Sequence, residues 1–155
     1  MPRCWCLIWP LDFYFISSKE TLINNALSLI GRILLAALFL PAGLSKLSGF
    51  EGTVGYIASV GLPLPVVGAA AALLVEIVGS VALIVGFQTR IVAAVLALFT
   101  LVASVFFHAF WAAGPDQAFV QQLLFFKNIG VVGGLLVLAS TGAGAWRLDA
   151  RKQAQ

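Results

Sequence analysis

The chain has 155 residues, of which 61% are hydrophobic and only 10% charged, and its formal net charge is +3. A soluble domain carries about 25% charged residues, so the polar surface that water requires is missing and an integral membrane protein is implied. Nucleic-acid binding is excluded as a role for the excess charge, because the lysines and arginines are scattered rather than gathered on one basic face.

The first segment, "MPRCWCLIWPLDFYFISSKE", has an apolar run broken by two prolines and Asp12 and lacks a small-residue cleavage site. It reads as an interfacial tail over residues 1–25 rather than a signal peptide. Its composition also admits a later translational start, which would need an alternative codon because Met1 is the sole methionine. Cys4 and Cys6 have no second pair to complete a zinc site. A four-helix transmembrane domain is expected over 26–148, with spans near 26–46, 66–87, 91–112 and 120–140. Each holds about 20 residues, enough to cross roughly 30 Å of hydrocarbon at 1.5 Å per residue. Between the first two spans, "SGFEGTVGYIASVGLPLP" predicts a short amphipathic helix on the membrane interface, stopped by Gly61 and Pro63. "GFQTR" at 86–90 predicts a tight turn, and "AGPDQ" at 113–117 a loop. Residues 149–155 form a short tail. The fold class is therefore an all-α membrane bundle.

Orientation follows from the basic residues. Arg3, Lys19, Arg32, Arg90, Arg147, Arg151 and Lys152 fall on one side, seven of the nine. The positive-inside rule assigns that side, and with it both termini, to the cytoplasm.

Polar residues inside the spans are the functional candidates, since intramembrane ionisable groups are costly and usually serve a purpose. Helical phase puts Arg32, Ala36, Phe39, Gly43 and Lys46 on one face of the first span. It groups Glu76 with Ala72, Gly79, Leu83 and Gly86 in the second, and aligns Thr100, Ser104 and His108 in the third. In the fourth, Lys127 is followed by Gly130 and Gly134, a G-x-x-x-G spacing that lets another helix approach, so Lys127 is expected to point inward beside Asn128. Glu76 lies near the midplane, roughly 15 Å from either end of its helix. It is expected to pair with Lys127, with Arg32 as the other cation able to approach it. Structural readings stand beside these: a register-fixing ion pair, a satisfied histidine at 108, and snorkelling ends for Arg32 and Lys46. A lone histidine lacks companions for a metal site, and no catalytic triad, phosphate loop or dinucleotide fingerprint occurs.

In order, "GRILLAALFLPAGLSKLSGFEGTVGYIASVGLPLP", Glu76, "GFQTR", "FFHAFW" and "FFKNIGVVGGLLVLASTGAG" resemble the DoxX family of small bacterial inner-membrane proteins. The resemblance covers about residues 26–148. It implies a four-helix bundle of the bacterial inner membrane, associated with oxidoreductases. The family name derives from a quinol-oxidase or thiosulfate:quinone oxidoreductase subunit, and other members are associated with membrane redox homeostasis. Arg32, Gly43, Lys46, Gly49, Glu76, Arg90, His108, Lys127 and Asn128 match recurrent family positions, none with a catalytic assignment to carry over.

The expected role is an accessory subunit of a membrane redox system whose polar core receives a diffusible quinone. No covalently bound cofactor is expected, since two cysteines and one histidine cannot ligate a cluster or a haem pair. Lys127, Asn128 and His108 would be the donors. The other readings are a small proton-coupled transporter using Glu76 and His108, and a non-catalytic partner that docks membrane proteins or copies of itself through its glycine faces.

Overall fold

A computed structural model describes residues 9–148, with side chains from Thr21 onward. Cys4, Cys6, the first part of the expected tail and the tail at 149–155 lie outside the described residues. Helix α1 runs Trp9–Ser48, α2 Phe50–Ser59, α3 Pro65–Val85, α4 Thr89–Phe107 and α5 Pro115–Thr141, with a 3-10 turn at Phe110–Ala112. Among the described residues there are no strands.

Four segments are long and apolar enough to cross a membrane: Thr21–Ser48, Pro65–Val85, Thr89–Ala112 and Pro115–Thr141. These are the four expected spans, longer at several ends. The first helix starts well upstream of residue 26, so part of the expected tail is helical. Pro65 and Pro115 open α3 and α5 in the first turn, where the missing N–H costs nothing. Gly86 closes α3 with φ 72°. Phe87 N–H bonds Ala82 C=O at 2.9 Å and Gly86 N–H bonds Leu83 C=O at 3.2 Å, the paired bonds of a left-handed helix end.

The four spans pack in the order α1, α3, α4, α5, and α5 touches α1 only sparingly. The interior is built from small residues and a few leucines: Ala36, Phe39, Leu83, Ala93, Leu96, Ala97, Leu135 and Leu138. Leu34, Leu74, Val78, Ile91, Leu98 and Val137 face outward. In water that distribution would be ruinous, but lipid tails are as apolar as leucine. The helices are held instead by close packing and internal hydrogen bonds. Gly79 provides one such close approach, since a Cβ there would lie 3.1 Å from Leu96.

All chain reversals place Thr21, Gly86 and Thr141 at one end of the bundle, the terminal end, and Ser48, Pro65, His108 and Pro115 at the other, the far end. Gly43 of α1 lies level with Glu76 and Ile77 of α3. From that level α1 continues five residues to Ser48, whereas α3 extends eleven back to Pro65. With a rise of 1.5 Å per residue, α1 stops about 9 Å short of the start of α3. The short α2 fills this step, packing Ile57 against Gly68. A chamber remains beneath it.

Candidate functional site

The chamber, about 570 Å³ and partly open, lies in the far half of the bundle between α1, α2, α3 and α4, with Asn128 of α5 at its edge. Its walls are mostly apolar, with Phe39, Ile57, Phe99, Phe106 and Phe107 prominent. Lys46, Thr53, Tyr56, Glu76, Thr100, His108 and Asn128 supply the polar groups.

Lys46 and Glu76 form its centre. Lys46 Nζ lies 2.8 Å from both Glu76 Oε1 and Oε2, and the side chains are 27% and 7% exposed. The contact depends on how near α1 and α3 come. Gly43, one turn before Lys46, faces α3 so closely that a Cβ would lie 2.7 Å from Ile77 Cγ1 and 3.1 Å from Glu76 Cβ. Gly43→Ala is therefore expected to push the helices apart and lower stability by about 1–3 kcal/mol, the usual range for overpacking a filled interior. Thermal melting in detergent checks this, and an unchanged melting point would mean that α3 yields without cost.

This geometry corrects the expected pairing of Glu76 with Lys127. Lys127 is exposed on the outer surface of α5. The glycine face it shares is not a packed one: a Cβ on Gly130 would meet nothing within 4 Å, and one on Gly134 only Leu35, at 3.9 Å. Helix α5 instead buries Leu135 and Leu138. Its neighbour Asn128, 100° further round the helix, does reach the chamber. Arg32 does not approach Glu76 either. It is fully buried at the terminal end, with Nη1 donating to Leu83 O at 3.3 Å and Nη2 to Trp146 O at 2.7 Å. Its Nε has no partner among the described residues. The guanidinium thereby meets the carbonyl end of α3, where helix dipoles favour a cation, and anchors the segment after α5.

The polar stripe of α4 is present but largely self-satisfied. Thr100 Oγ1 donates to Leu96 O at 2.7 Å, and Ser104 Oγ to Thr100 O at 2.6 Å. Ser80 on α3 donates likewise to Glu76 O. Ser104 is buried but does not line the chamber. These hydroxyls serve their own helices, as does that of Thr53, which donates to Gly49 O at 3.3 Å; the Lys46–Glu76 pair, His108, Asn128 and the Tyr56 hydroxyl remain to meet a ligand. His108 Nδ1 lies 3.0 Å from Gln121 Oε1. With the proton on Nδ1, the neutral ring keeps Nε2 as an acceptor.

Sequence reasoning missed Gln121, which orients His108, and Tyr56, whose ring lies 5.2 Å from that of Phe107 and joins α2 to α4 at the chamber. Aromatic residues bracketing the histidine in "FFHAFW" were the available signal. Phe110, Trp111, Phe125 and Phe126 stack edge to face or tilted beside it, with centroids 5.1–6.0 Å apart, and tie the 3-10 turn to α5.

The DoxX family model matches residues 27–109, a stretch that includes Lys46, Glu76, Thr100 and His108 but not Asn128. Inner membrane protein YphA of Escherichia coli (strain K12) is 38% identical over 125 residues, covering 81% of this chain and 89% of that protein. Inner membrane protein YqjF of the same organism is 40% identical over 124 residues, covering 78% and 88%. A Surfeit locus protein 4 homolog of Schizosaccharomyces pombe is 33% identical over 72 residues, only 24% of its own length. No solved structure matches. A family match over more than half of the chain, joined to near full-length similarity to two small inner membrane proteins, makes this four-span protein a member of the DoxX family.

Proposed function

We propose that the chamber binds the headgroup of a quinone or quinol, and that the protein acts as an accessory subunit of a redox system in the bacterial inner membrane. The observation that carries this reading is one ion pair, one imidazole, one carboxamide and one phenol, with two threonines, facing a chamber otherwise walled by rings and aliphatic chains. A volume of about 570 Å³ falls within the range of small-molecule sites, roughly 300–1,000 Å³. Lys46 and Asn128 would donate to a carbonyl oxygen, and His108 Nε2 would accept from a quinol hydroxyl.

Titration of the protein in lipid nanodiscs with short-tailed benzoquinone and naphthoquinone analogues tests this. The wild type is expected to bind, and Lys46→Met combined with Glu76→Gln to weaken binding by about tenfold, the loss of one good polar contact at 1.4 kcal/mol per decade. Wild-type protein that ignores both ring types would end the quinone reading.

The sharing of one chamber by Glu76 and His108 favours a second reading, proton-coupled transport, for which pH-dependent flux into liposomes is the test. In either role we place both termini in the cytoplasm, on the bias of seven basic residues. Reporters at residue 155 and at Gln88 are expected to read cytoplasmic, and those at Gly52 and Gly114 external. A cytoplasmic signal at Gly114 would reverse this placement.

A further inference from the structure

We infer that the terminal end of the bundle carries a site for an anionic phospholipid, with one acyl chain in the groove between α1 and α5 and its phosphate at Arg90. The groove holds about 720 Å³ and is distinct from the chamber. It exists because glycines stand where side chains would otherwise close the gap: Gly31, Gly134, Gly142 and Gly144 all line it.

Its character changes along its length. Asn24, Asn25 and Ser28 line it towards the terminal end, while Leu34, Leu35 and Val137 line it deeper in the bundle. A polar mouth at the membrane surface above an apolar trough matches the order of a lipid, headgroup first and chain inward.

Charge then selects the headgroup. Gly142 at the mouth is overlain by Arg90, whose Nε would lie 3.2 Å from a Cβ placed there. Arg90 is exposed and makes no ion pair with the described residues. Arg147 packs its Cα and Cβ against Gly86 on the same end of the bundle, while the buried Arg32 is already committed to backbone carbonyls. The carboxylates among the described side chains, Glu51, Glu76 and Asp116, all lie in the middle or far part of the bundle. At the mouth, Asn25 already uses Oδ1 to accept from Ala145 N–H at 2.9 Å, which leaves its N–H groups to donate. Among the described side chains the rim therefore offers a cation and amide donors with no opposing negative charge. Basic pockets between spans recognise acidic headgroups in this way.

The test uses the full chain, extracted gently and examined by native mass spectrometry and by melting in nanodiscs of phosphatidylglycerol or of phosphatidylcholine. The wild type is expected to retain phosphatidylglycerol in preference to phosphatidylcholine and to melt higher in it. Arg90→Gln is expected to reduce that preference about fivefold, the effect of one basic residue at a membrane surface. Gly134→Leu, which fills the groove, should abolish retention of either lipid. Equal retention of the two lipids by the wild type overturns the proposal, as does a preference that survives Arg90→Gln. If glycerol 3-phosphate alone reproduces the stabilisation, the site takes a free anion and the lipid assignment fails. A second copy of the chain bound across the groove, with lipid absent, would overturn it too. The quinone titration reads the other end of the bundle, so the two proposals fail separately.

Discussion

Lys46→Met is expected to destabilise the bundle by about 3–5 kcal/mol, the cost of stripping the partner from a buried charge. Glu76 is 7% exposed and, among the described residues, is paired with Lys46. Without it, the carboxylate must stay charged in a poor solvent, take up a proton or draw in water, all of them uphill. Glu76→Gln should cost less, because the 27% exposed Lys46 sits two residues from the end of α1 and its flexible stem can carry the ammonium towards the far surface. The combined change removes both charges and should recover most of the loss, whereas Lys127→Met, on an outer surface, should stay within about 0.5 kcal/mol of the wild type. Melting of the four variants in detergent decides. If Lys127→Met is as damaging as Lys46→Met and is not additive with Glu76→Gln, the partner assignment is wrong.

Arg32→Met is expected to cost about 2–3 kcal/mol and to act locally. It removes two charge-assisted bonds, to Leu83 O and Trp146 O, each worth roughly 1.5–3 kcal/mol. Removal of a fully buried cation with an unpartnered Nε offsets part of that loss. Trp146 belongs to the segment that folds back over the terminal end, so protease cleavage near residues 142–148 should accelerate before the spans melt. Arg32→Lys should behave similarly, because one ammonium cannot reproduce a planar fork directed at two carbonyls. A lysine variant with wild-type melting and cleavage would show that charge alone suffices there.

The four spans, the short helix after the first and the turn at 86–90 were legible in the sequence, because run length, glycine and proline are local signals. The faces of α1 and α3 were legible too. Arg32, Ala36, Phe39, Gly43 and Glu76 are all buried as their spacing implied. Which cation met Glu76 was not. Phase assigns a residue to a side of its own helix, but gives neither the rotation of that helix against its neighbours nor its end height. The pairing turns on α1 stopping short of α3, which brings Lys46 to the depth of Glu76. It turns equally on α5 directing its bulky residues, not its glycines, at the bundle. Glycine spacing marks where a helix could approach closely, and on α5 the approach is loose: Gly130 meets nothing and Gly134 only Leu35, at 3.9 Å. Thr100 and Ser104 show the same limit: their alignment was readable, but the commitment of their protons to backbone carbonyls was not.

The bidentate geometry also limits how strongly the Lys46–Glu76 pair couples to a membrane potential. Opposite charges 2.8 Å apart in a hydrocarbon layer of about 30 Å span less than a tenth of the field. At 2.3 kcal/mol per charge per 100 mV, even perfect alignment couples the pair by only about 0.2 kcal/mol, below thermal energy. Drawing Lys46 alone some 10 Å towards the far surface would raise the coupling to about 0.8 kcal/mol per 100 mV. The intact pair therefore couples only weakly to the field, and its coupling grows when a ligand or a proton parts the two charges.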